Sequence, residues 1–290
     1  MLTKIGEKVQ NFYNKTPFPD FELERFNRKE DLEFSAYPFA RILDRSIPST
    51  SSIVDVGTGT GQLSSFLSLK RKKVLGIDFS DSSLNKAKKL KKKLGLNSLH
   101  IEKVNILNSK EIEKLGKFDY VLCLGVLHHT GEAYKGFQNI TKLLNPGGYI
   151  AVGLYNRFGR IPLKIRIFLA KTIFKNNQEI KDYFIRIQIG DIKDEERARG
   201  WWNDQYLHPH ESTHTIGEVL KWFNKNNIEF IETVPSSSLF SKTNLDDSVV
   251  WNPIKENPPS FFVRFFKQLK WIFETQKEGG YWITFGKLKN

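Results

Sequence analysis

Cysteine and long apolar runs are the features that this sequence almost lacks. Cys123 is the only cysteine in 290 residues, so no disulfide can form within the chain. No uncharged apolar run approaches the roughly 20 residues that a membrane-spanning helix needs. The N-terminal stretch is polar and charged, without the apolar core of a secretory signal. These absences predict a cytoplasmic chain whose fold depends on an ordinary buried core.

Acidic residues are also scarce, at 32 against 45 lysines and arginines, which gives a net charge of +13. Such a balance is typical of proteins that bind nucleic acid or anionic membranes. A second interpretation is that the lysines only solvate helix faces. The lysine-rich stretch 86–93 favours it, since Leu84, Ala87 and Leu90 are interleaved at helical spacing. We therefore do not expect a nucleic-acid partner.

Strand-like and helix-like segments alternate through the first half of the chain. Repeated strand–helix–strand order predicts a parallel sheet with helices on both faces. The predicted strands are 52–57, 74–79, 99–105, 118–126, 149–156, 228–234 and 281–288. The predicted helices are 62–68, 81–94, 109–115, 133–144, 161–175, 178–190, 215–227 and 261–275, with a turn at 145–148 and loop-like sequence at 236–260.

A glycine-rich turn between the first strand and its helix, DVGTGTG at 55–61, is the most informative segment. Its glycines let the backbone turn sharply and let a ligand approach closely. The G-x-G-x-G spacing differs from the G-x-G-x-x-G of pyrophosphate-binding turns. Asp55 can attract a cationic group, and Asp78, which ends the second strand, can accept hydrogen bonds from a ribose diol. This set predicts a site for an adenosine with an uncharged or cationic tail.

Five motifs in order over residues 50–155 resemble those of class I S-adenosylmethionine-dependent methyltransferases. The resemblance is to the small-molecule branch that includes the ubiquinone and menaquinone methyltransferases. The motifs are the glycine-rich turn, Asp78 in GIDFS, Asn105-Ile106, the strand FDYVLCLGVLHH and the segment LLNPGGYIAV.

The resemblance implies S-adenosylmethionine as cofactor, with the glycines around its methionine moiety. Many relatives carry Asp where this chain has Asn105, whose amide oxygen can still accept a hydrogen bond from the adenine amino group. The implied cofactor-binding residues are Asp55, Gly57, Thr58, Gly59, Gly61, Asp78, Phe79, Asn105, Ile106, Leu124 and Gly125.

We therefore expect an α/β, Rossmann-like class I methyltransferase fold with a mostly parallel seven-stranded sheet and helices on both faces. An N-terminal helical lid and insertions after the fifth and sixth strands complete it. The expected parts are a lid at 1–48, a cofactor-binding core at 49–156, a substrate cap at 157–214, and the C-terminal part of the sheet with a helical insertion at 215–290.

Polar residues after the fourth and fifth strands are candidates for the acceptor side, because ligands bind at the carboxyl edge of such sheets. His129 is a better candidate for a general base than its neighbour His128, and packing or capping is the alternative for both. Arg157 and Arg160 could hold an anionic group, or form an exposed basic loop.

The stretch 201–214 has an unusual density of histidines, acids and aromatics. It can be read as an acceptor pocket, as a metal site built from three histidines whose spacing fits no common zinc pattern, or as the entry to a helix capped by Thr215 and Glu218. The helix-capping interpretation explains only the last few residues of this stretch. We therefore favour an acceptor pocket and expect no metal site. The catalytic candidates are His129, Asp204, Tyr206 and His210. The expected substrate-binding residues are Tyr13, Arg41, His128, Tyr155, Asn156, Arg157, Trp202 and His208.

Two groups of segments outside the core sheet have more than one interpretation. The N-terminal residues up to Phe21 predict a short helix and an aromatic–proline turn that closes over the cofactor, with Tyr13 and Arg41 in reach of the site; simple packing is the alternative. Segments 161–175 and 260–273 combine apolar and basic residues. They could form core, a subunit interface, a cap over a lipophilic pocket, or peripheral contact with an anionic membrane.

These observations predict direct methyl transfer to a small-molecule acceptor, lipophilic or anionic, at the carboxyl edge of the sheet. A tRNA or RNA methyltransferase and a non-catalytic S-adenosylmethionine-binding protein are the alternatives. The sequence does not distinguish an O, N, S or C acceptor atom, and it does not define the oligomeric state.

Overall fold

A seven-stranded sheet forms the centre of the chain in a computed structural model that describes residues 3–174, 177–189, 195–237, 250–251, 258–277 and 279–290. The strand order is β3-β2-β1-β4-β5-β7-β6, with the first five strands parallel and β7 antiparallel to both neighbours. This confirms the expected fold class. The strands are β1 Ile53–Val56, β2 Val74–Asp78, β3 Leu99–Lys103, β4 Phe118–Leu124, β5 Leu144–Tyr155, β6 Ile228–Val234 and β7 Tyr281–Leu288.

Helices cover both faces of this sheet. On one face, three helices contribute Phe137, Phe223 and Trp271 to a buried apolar cluster. On the opposite face, Leu43 and Leu67 belong to a second cluster. The α-helices of the described residues are α1 Lys4–Lys15, α2 Lys29–Ser35, α3 Pro38–Ser46, α4 Gln62–Leu67, α5 Asp81–Leu94, α6 Ser109–Glu113, α7 Ala133–Thr141, α8 Ile161–Thr172, α9 Gln178–Ile189, α10 Glu195–Tyr206, α11 Ile216–Lys225 and α12 Phe261–Glu274.

Three local features differ from the sequence-based expectation or lie outside the described residues. The predicted turn 145–148 lies inside β5, because the ladder with β4 skips from Phe118–Leu144 to Tyr120–Tyr149 and absorbs the extra residues as an irregularity. Helix α10 extends through the first residues of the stretch 201–214, for which no helix was predicted. Most of the predicted loop 236–260 lies outside the described residues. No helix in the described ranges is long and apolar enough to cross a membrane.

Helix α5 shows how the lysine-rich sequence is accommodated. Ser80 caps its N-terminus by accepting from the Ser83 N–H at 3.3 Å, and Gly95 ends it in a left-handed conformation at φ +60°. The interleaved residues Leu84, Ala87 and Leu90 are buried. The lysines therefore lie on the other faces of the helix, as the second interpretation of the charge predicts.

A buried ion pair attaches α3 to the core. The Arg71 guanidinium donates to Asp44 Oδ1 at 2.6 Å and to the Ile47 carbonyl at 2.7 Å. Both side chains are almost completely inaccessible. Removing one partner of such a pair leaves a buried charge without compensation.

We predict that Asp44→Ala lowers the free energy of unfolding by about 3–5 kcal/mol, because Arg71 stays buried without its carboxylate. Urea unfolding followed by circular dichroism measures the change. Asp81→Ala is the matched control: its ion pair with Lys103 is exposed on both sides, so the expected loss is below about 1 kcal/mol. Equal losses in the two variants would contradict the role of the buried pair.

Candidate active site

The glycine-rich turn lies at the carboxyl end of β1, directly under the N-terminal segment. Gly57, Gly59 and Gly61 all have positive φ, between 56° and 80°. A Cβ added at Gly59 would lie 2.3 Å from the Phe18 carbonyl oxygen, and the Thr60 hydroxyl donates to the Pro19 carbonyl at 2.7 Å. Only glycine allows the lid to approach the turn this closely.

Two carboxylates meet this turn from neighbouring strands. Asp78 accepts the Gly59 N–H and the Ser80 N–H, each at 2.9 Å, and Asp55 accepts the Thr58 hydroxyl at 2.7 Å. Burial, with the charge of Asp78 adding to it, raises the pKa of Asp55 to about 6. Burial also raises the pKa of Asp78. A cationic ligand group would offset the cost of keeping both carboxylates charged in this place.

The space beside these carboxylates fits a nucleoside with an extended tail. Gly125, at the end of β4, has φ +82°, and a Cβ built on it meets no atom within 4 Å, so the backbone there is open to a ligand. A groove of about 860 Å³ lies past the ends of β2 and β3, lined by Gln10, Phe79 and Asn105 among others. The residues present therefore fit S-adenosylmethionine.

Several residues expected to contact the cofactor also make hydrogen bonds or packing contacts within the protein. Asn105 Oδ1, the atom expected to meet the adenine, accepts the Leu107 N–H at 3.0 Å. Ile106 is buried in the core, and its carbonyl accepts from Asn139 at 2.8 Å. Leu124 ends β4 beside Gly125 and stays partly accessible.

Helix α1 connects the cofactor groove with the acceptor side. Gln10 Nε2 donates to the Phe79 carbonyl at 2.8 Å, next to Asp78. One turn further along, the Tyr13 hydroxyl donates to Asp204 Oδ1 at 2.9 Å. Burial, and then the Asp204 carboxylate, raise the pKa of Tyr13 well above its ordinary value. The lid and helix α10 therefore meet above the carboxyl end of the sheet.

Five of the predicted residues form one group, which we call the acceptor cluster: Tyr13, His129, Tyr155, Asp204 and His208. The rings of His129 and His208 have centroids 3.7 Å apart, and Tyr13 lies 5.4 Å from His208. Gln205 bridges the cluster by donating to Tyr155 Oη at 2.6 Å and to Asp204 Oδ2 at 2.9 Å. Residues distant in sequence are thus brought together at one edge of the sheet.

Three histidines of this region, His128, His129 and His208, have lowered pKa values. His129 Nδ1 donates to the His210 carbonyl at 3.0 Å, which leaves its Nε2 as an acceptor. Burial lowers the pKa of His129 to about 3, and burial together with His129 does the same to His208. His128 is fully buried, neither ring nitrogen has a hydrogen-bond partner, and burial lowers its pKa well below the ordinary value. In contrast, burial raises the pKa of Asp204.

Arg160 supports the acceptor cluster from below. Its guanidinium lies 3.5 Å from the centre of the Tyr155 ring and donates to Gln205 Oε1 at 2.7 Å. It also forms a two-point ion pair with Glu211. The charge of Arg160 is therefore already neutralised, and this residue holds the cluster in place rather than presenting a free cation.

Two tyrosines near the cofactor side were missed by sequence reasoning. Tyr37 is about half exposed, yet burial of its hydroxyl and the Asp55 carboxylate raise its pKa. Burial, Tyr37 and Tyr155 together raise the pKa of Tyr281. The position of Tyr281 explains Gly153, whose Cβ would lie 1.8 Å from the Tyr281 hydroxyl. No local pattern marks these residues, because they come from opposite ends of the chain.

The structure places some predicted residues elsewhere. Trp202 stacks on Tyr206 at 3.9 Å inside a small core with Phe184, so both belong to the packing of the cap rather than to the acceptor cluster. Asn156 is fully buried and bonds to Gln268 and to the following backbone. All three side chains contact other parts of the protein rather than the acceptor cluster, and the roles expected for them, including a catalytic Tyr206, stay predictions.

Two arginines and a histidine make their described contacts outside the acceptor cluster or through the backbone. Arg41 is exposed and donates to the carbonyls of Phe34 and Ala36, so it stabilises the start of α3 and does not reach the site. Arg157 is exposed beside Glu218. His210 contributes its backbone carbonyl, while its Nε2 is buried without a partner.

The histidines considered for a metal point to different partners. His208 stacks on His129, whereas His214 bonds to Glu218 at 2.9 Å and to Ser212 at 2.8 Å. Among the described residues, no group of three His, Cys, Asp or Glu side chains could hold a metal ion. Thr215 caps α11 by accepting the Glu218 N–H, as the capping interpretation predicted for those residues.

Comparison with known proteins agrees with this site. The family profile described as "Methyltransferase domain" matches residues 47–227. An uncharacterized protein of Synechococcus is 24% identical over 80% of this chain and 60% of its own length. A ubiquinone biosynthesis O-methyltransferase of Colwellia psychrerythraea is 34% identical over 36% of this chain and 42% of its own length. The chain thus spans about half the length of these two relatives.

Solved structures show the same fold. The match to the structure of PKMT2 from Rickettsia typhi covers 94% of this chain and 55% of the PKMT2 chain, with a TM-score of 0.60 and 16% sequence identity. The same protein in complex with AdoHcy gives a TM-score of 0.53 at 18% identity, over 88% of this chain and 53% of its own.

The chain belongs to the methyltransferase domain family, and the predicted resemblance to class I S-adenosylmethionine-dependent methyltransferases is confirmed for the family and the fold.

We predict that affinity for S-adenosylmethionine falls about tenfold per pH unit below about pH 6, because a protonated Asp55 no longer attracts the ligand's ammonium group. Isothermal titration calorimetry across this range measures the effect. Asp55→Asn should bind weakly at neutral pH and lose most of this dependence. Affinity that stays constant across the range would contradict the role of Asp55.

The same raised pKa has a consequence for stability without ligand. Since folding raises the Asp55 pKa, this group makes the protein less stable as pH rises through about 6. We therefore expect Asp55→Asn to keep or slightly raise the ligand-free Tm at neutral pH. A large drop in Tm would show that the carboxylate is structural.

Proposed function

We propose that this protein transfers the methyl group of S-adenosylmethionine to a hydroxyl of a small, uncharged, largely apolar molecule bound at the acceptor cluster. The observation that carries the proposal is the hydrogen bond from Tyr13 to Asp204 above the ends of β4 and β5. It places a buried proton-accepting pair beside the cofactor groove. When bound, the cofactor supplies an electrophilic methyl group on a sulfonium.

The charges around the cluster favour a neutral acceptor. Arg160 is paired with Glu211, and Arg157 lies exposed beside Glu218. Among the described residues of this region, neither arginine offers the free cation that an anionic acceptor would need. The ring of Phe12 packs against Tyr13 and His208 of the cluster instead, and the ring of Tyr155 packs against His128. These contacts support a lipophilic rather than an anionic acceptor.

The proposed proton path uses Tyr13 and Asp204. As the acceptor oxygen forms its bond to the methyl carbon, the bond from that carbon to sulfur breaks and the hydroxyl proton must leave. Tyr13 can accept this proton while passing its own to Asp204, since they are already hydrogen-bonded. Asp204 is the better final acceptor because burial raises its pKa, whereas burial lowers the pKa of His129 to about 3. His129 Nε2 can orient the acceptor hydroxyl.

The relatives named as ubiquinone biosynthesis O-methyltransferases support an oxygen acceptor, although each aligns with little more than a third of this chain. A direct test uses S-adenosylmethionine with a labelled methyl group and a cell extract separated into small molecules, protein and RNA. We expect label in the organic-soluble small-molecule fraction. Label only in protein or RNA would overturn the proposal.

We predict that Tyr13→Phe lowers kcat roughly a hundredfold, because both the proton path and the contact between α1 and α10 are lost. The affinity for S-adenosylmethionine should fall much less, because Gln10 and Phe18 still hold this segment against the cofactor side. Asp204→Asn should have a similar effect. Tyr183→Phe, which changes an exposed tyrosine on α9, is the matched control and should keep full turnover. Steady-state kinetics with the labelled donor measure all three. Full turnover by Tyr13→Phe would exclude the relay.

A further inference from the structure

Helices α8 and α12 carry large apolar side chains on their outer faces. Phe262, Phe266 and Phe273 on α12 are 70%, 57% and 75% exposed. Ile165 and Phe168 on α8 are 54% and 62% exposed. Single exposed apolar residues are ordinary, but so many large ones on two helices indicate a contact surface.

The apolar stripe of α12 faces away from the protein. The buried positions of this helix are Lys267, Gln268 and Trp271, which lie within one narrow arc at 3.6 residues per turn. The stripe of Phe262, Phe266 and Phe273 lies on the opposite side. Core packing was one interpretation of this amphipathic segment. Trp271 does pack in the core, whereas Phe262, Phe266 and Phe273 face outward.

Helix α8 has the same arrangement. Leu163 and Ala170 are buried against the cap, while Ile161, Ile165 and Phe168 lie on the opposite face. Both helices thus turn an apolar stripe outward, although each could have packed that stripe inward.

The two helices adjoin through the segment between β5 and α8. The ring of Phe158, just before α8, contacts the ring of Phe265 on α12 with centroids 5.9 Å apart. Asn156 donates to Gln268 at 2.9 Å. The outward residues therefore belong to one region, which we call the outer apolar surface: Ile161, Ile165, Phe168, Phe262, Phe265, Phe266 and Phe273.

We propose that the outer apolar surface docks the protein on an anionic lipid bilayer. Lys164 and Lys171 are exposed beside the α8 stripe and form no ion pair with any described residue. Lysine is depleted at protein–protein interfaces, whereas bilayer-binding helices combine lysines with phenylalanine and leucine. The net charge of +13 adds attraction to anionic headgroups. Since Arg160 directly precedes α8 and contacts Tyr155, docking brings the acceptor cluster close to the lipid surface.

Vesicle co-sedimentation tests this docking. The full chain is mixed with vesicles of phosphatidylcholine alone and of phosphatidylcholine with phosphatidylglycerol. We expect strong binding to the mixed vesicles and weak binding to the neutral ones. Phe262→Ser with Phe266→Ser should weaken binding at least about tenfold, because burial of even one phenylalanine contributes about that much. Lys164→Glu with Lys171→Glu should weaken binding to the mixed vesicles only.

The matched control is Phe34→Ser, which removes an apolar ring that is 90% exposed on α2. It should bind vesicles as the unchanged protein does. Circular dichroism and affinity for S-adenosylmethionine check that each variant stays folded. Failure of the unchanged protein to bind the mixed vesicles would overturn the proposal, as would equal binding by the phenylalanine variant. So would a stable dimer in sedimentation velocity that this variant dissolves, because a second copy would then cover the surface.

Discussion

The hydrogen bond between Tyr13 and Asp204 joins the lid to the cap, and the arrangement of the site depends on it. Helix α1 reaches the cofactor groove through Gln10 and the acceptor cluster through Tyr13. The Phe18 carbonyl lies so close to Gly59 that the glycine-rich turn tolerates no side chain there. Helix α1 therefore touches both the end of β2 and α10, and the segment that follows the helix covers the glycine-rich turn.

Burial shifts pKa values in opposite directions on the cofactor side and on the acceptor side of the site. It raises the pKa of Asp55 and Asp78, so the cofactor half is best occupied by a ligand that carries positive charge. It lowers the pKa of His129 and His208, so the acceptor half stays free of additional cations near that ligand. Asp204 is the exception in the acceptor half, and its raised pKa supports its proposed role as the final proton acceptor. Burial thus shifts the pKa values in the directions that the proposed cofactor binding and proton transfer require.

Sequence patterns predicted the cofactor half better than the acceptor half. The turn at 55–61 and Asp78 are recognisable because their function depends on local backbone geometry and on spacing along two adjacent strands. His129 was predicted from its place after the fourth strand, whereas Asp204 and His208 were predicted from composition alone, and that criterion also selected Tyr206 and Trp202, which pack on each other. Arg160 was noted as a possible anion site, but its pairing with Glu211 and its contact with Tyr155 could not be read from spacing.

By itself, the sequence determined the strand–helix alternation, the parallel sheet, the glycine-rich turn and the class of cofactor. These features depend on the spacing of apolar residues in strands and helices, on glycines at positive φ, and on residues that lie near each other in the chain. Only the tertiary structure decided which polar residues meet. Tyr13 and Asp204 are 191 positions apart, and Tyr37 reaches Asp55 from the lid region. It also decided that α12 turns its phenylalanines outward, because an amphipathic pattern specifies two faces but not which of them finds a partner.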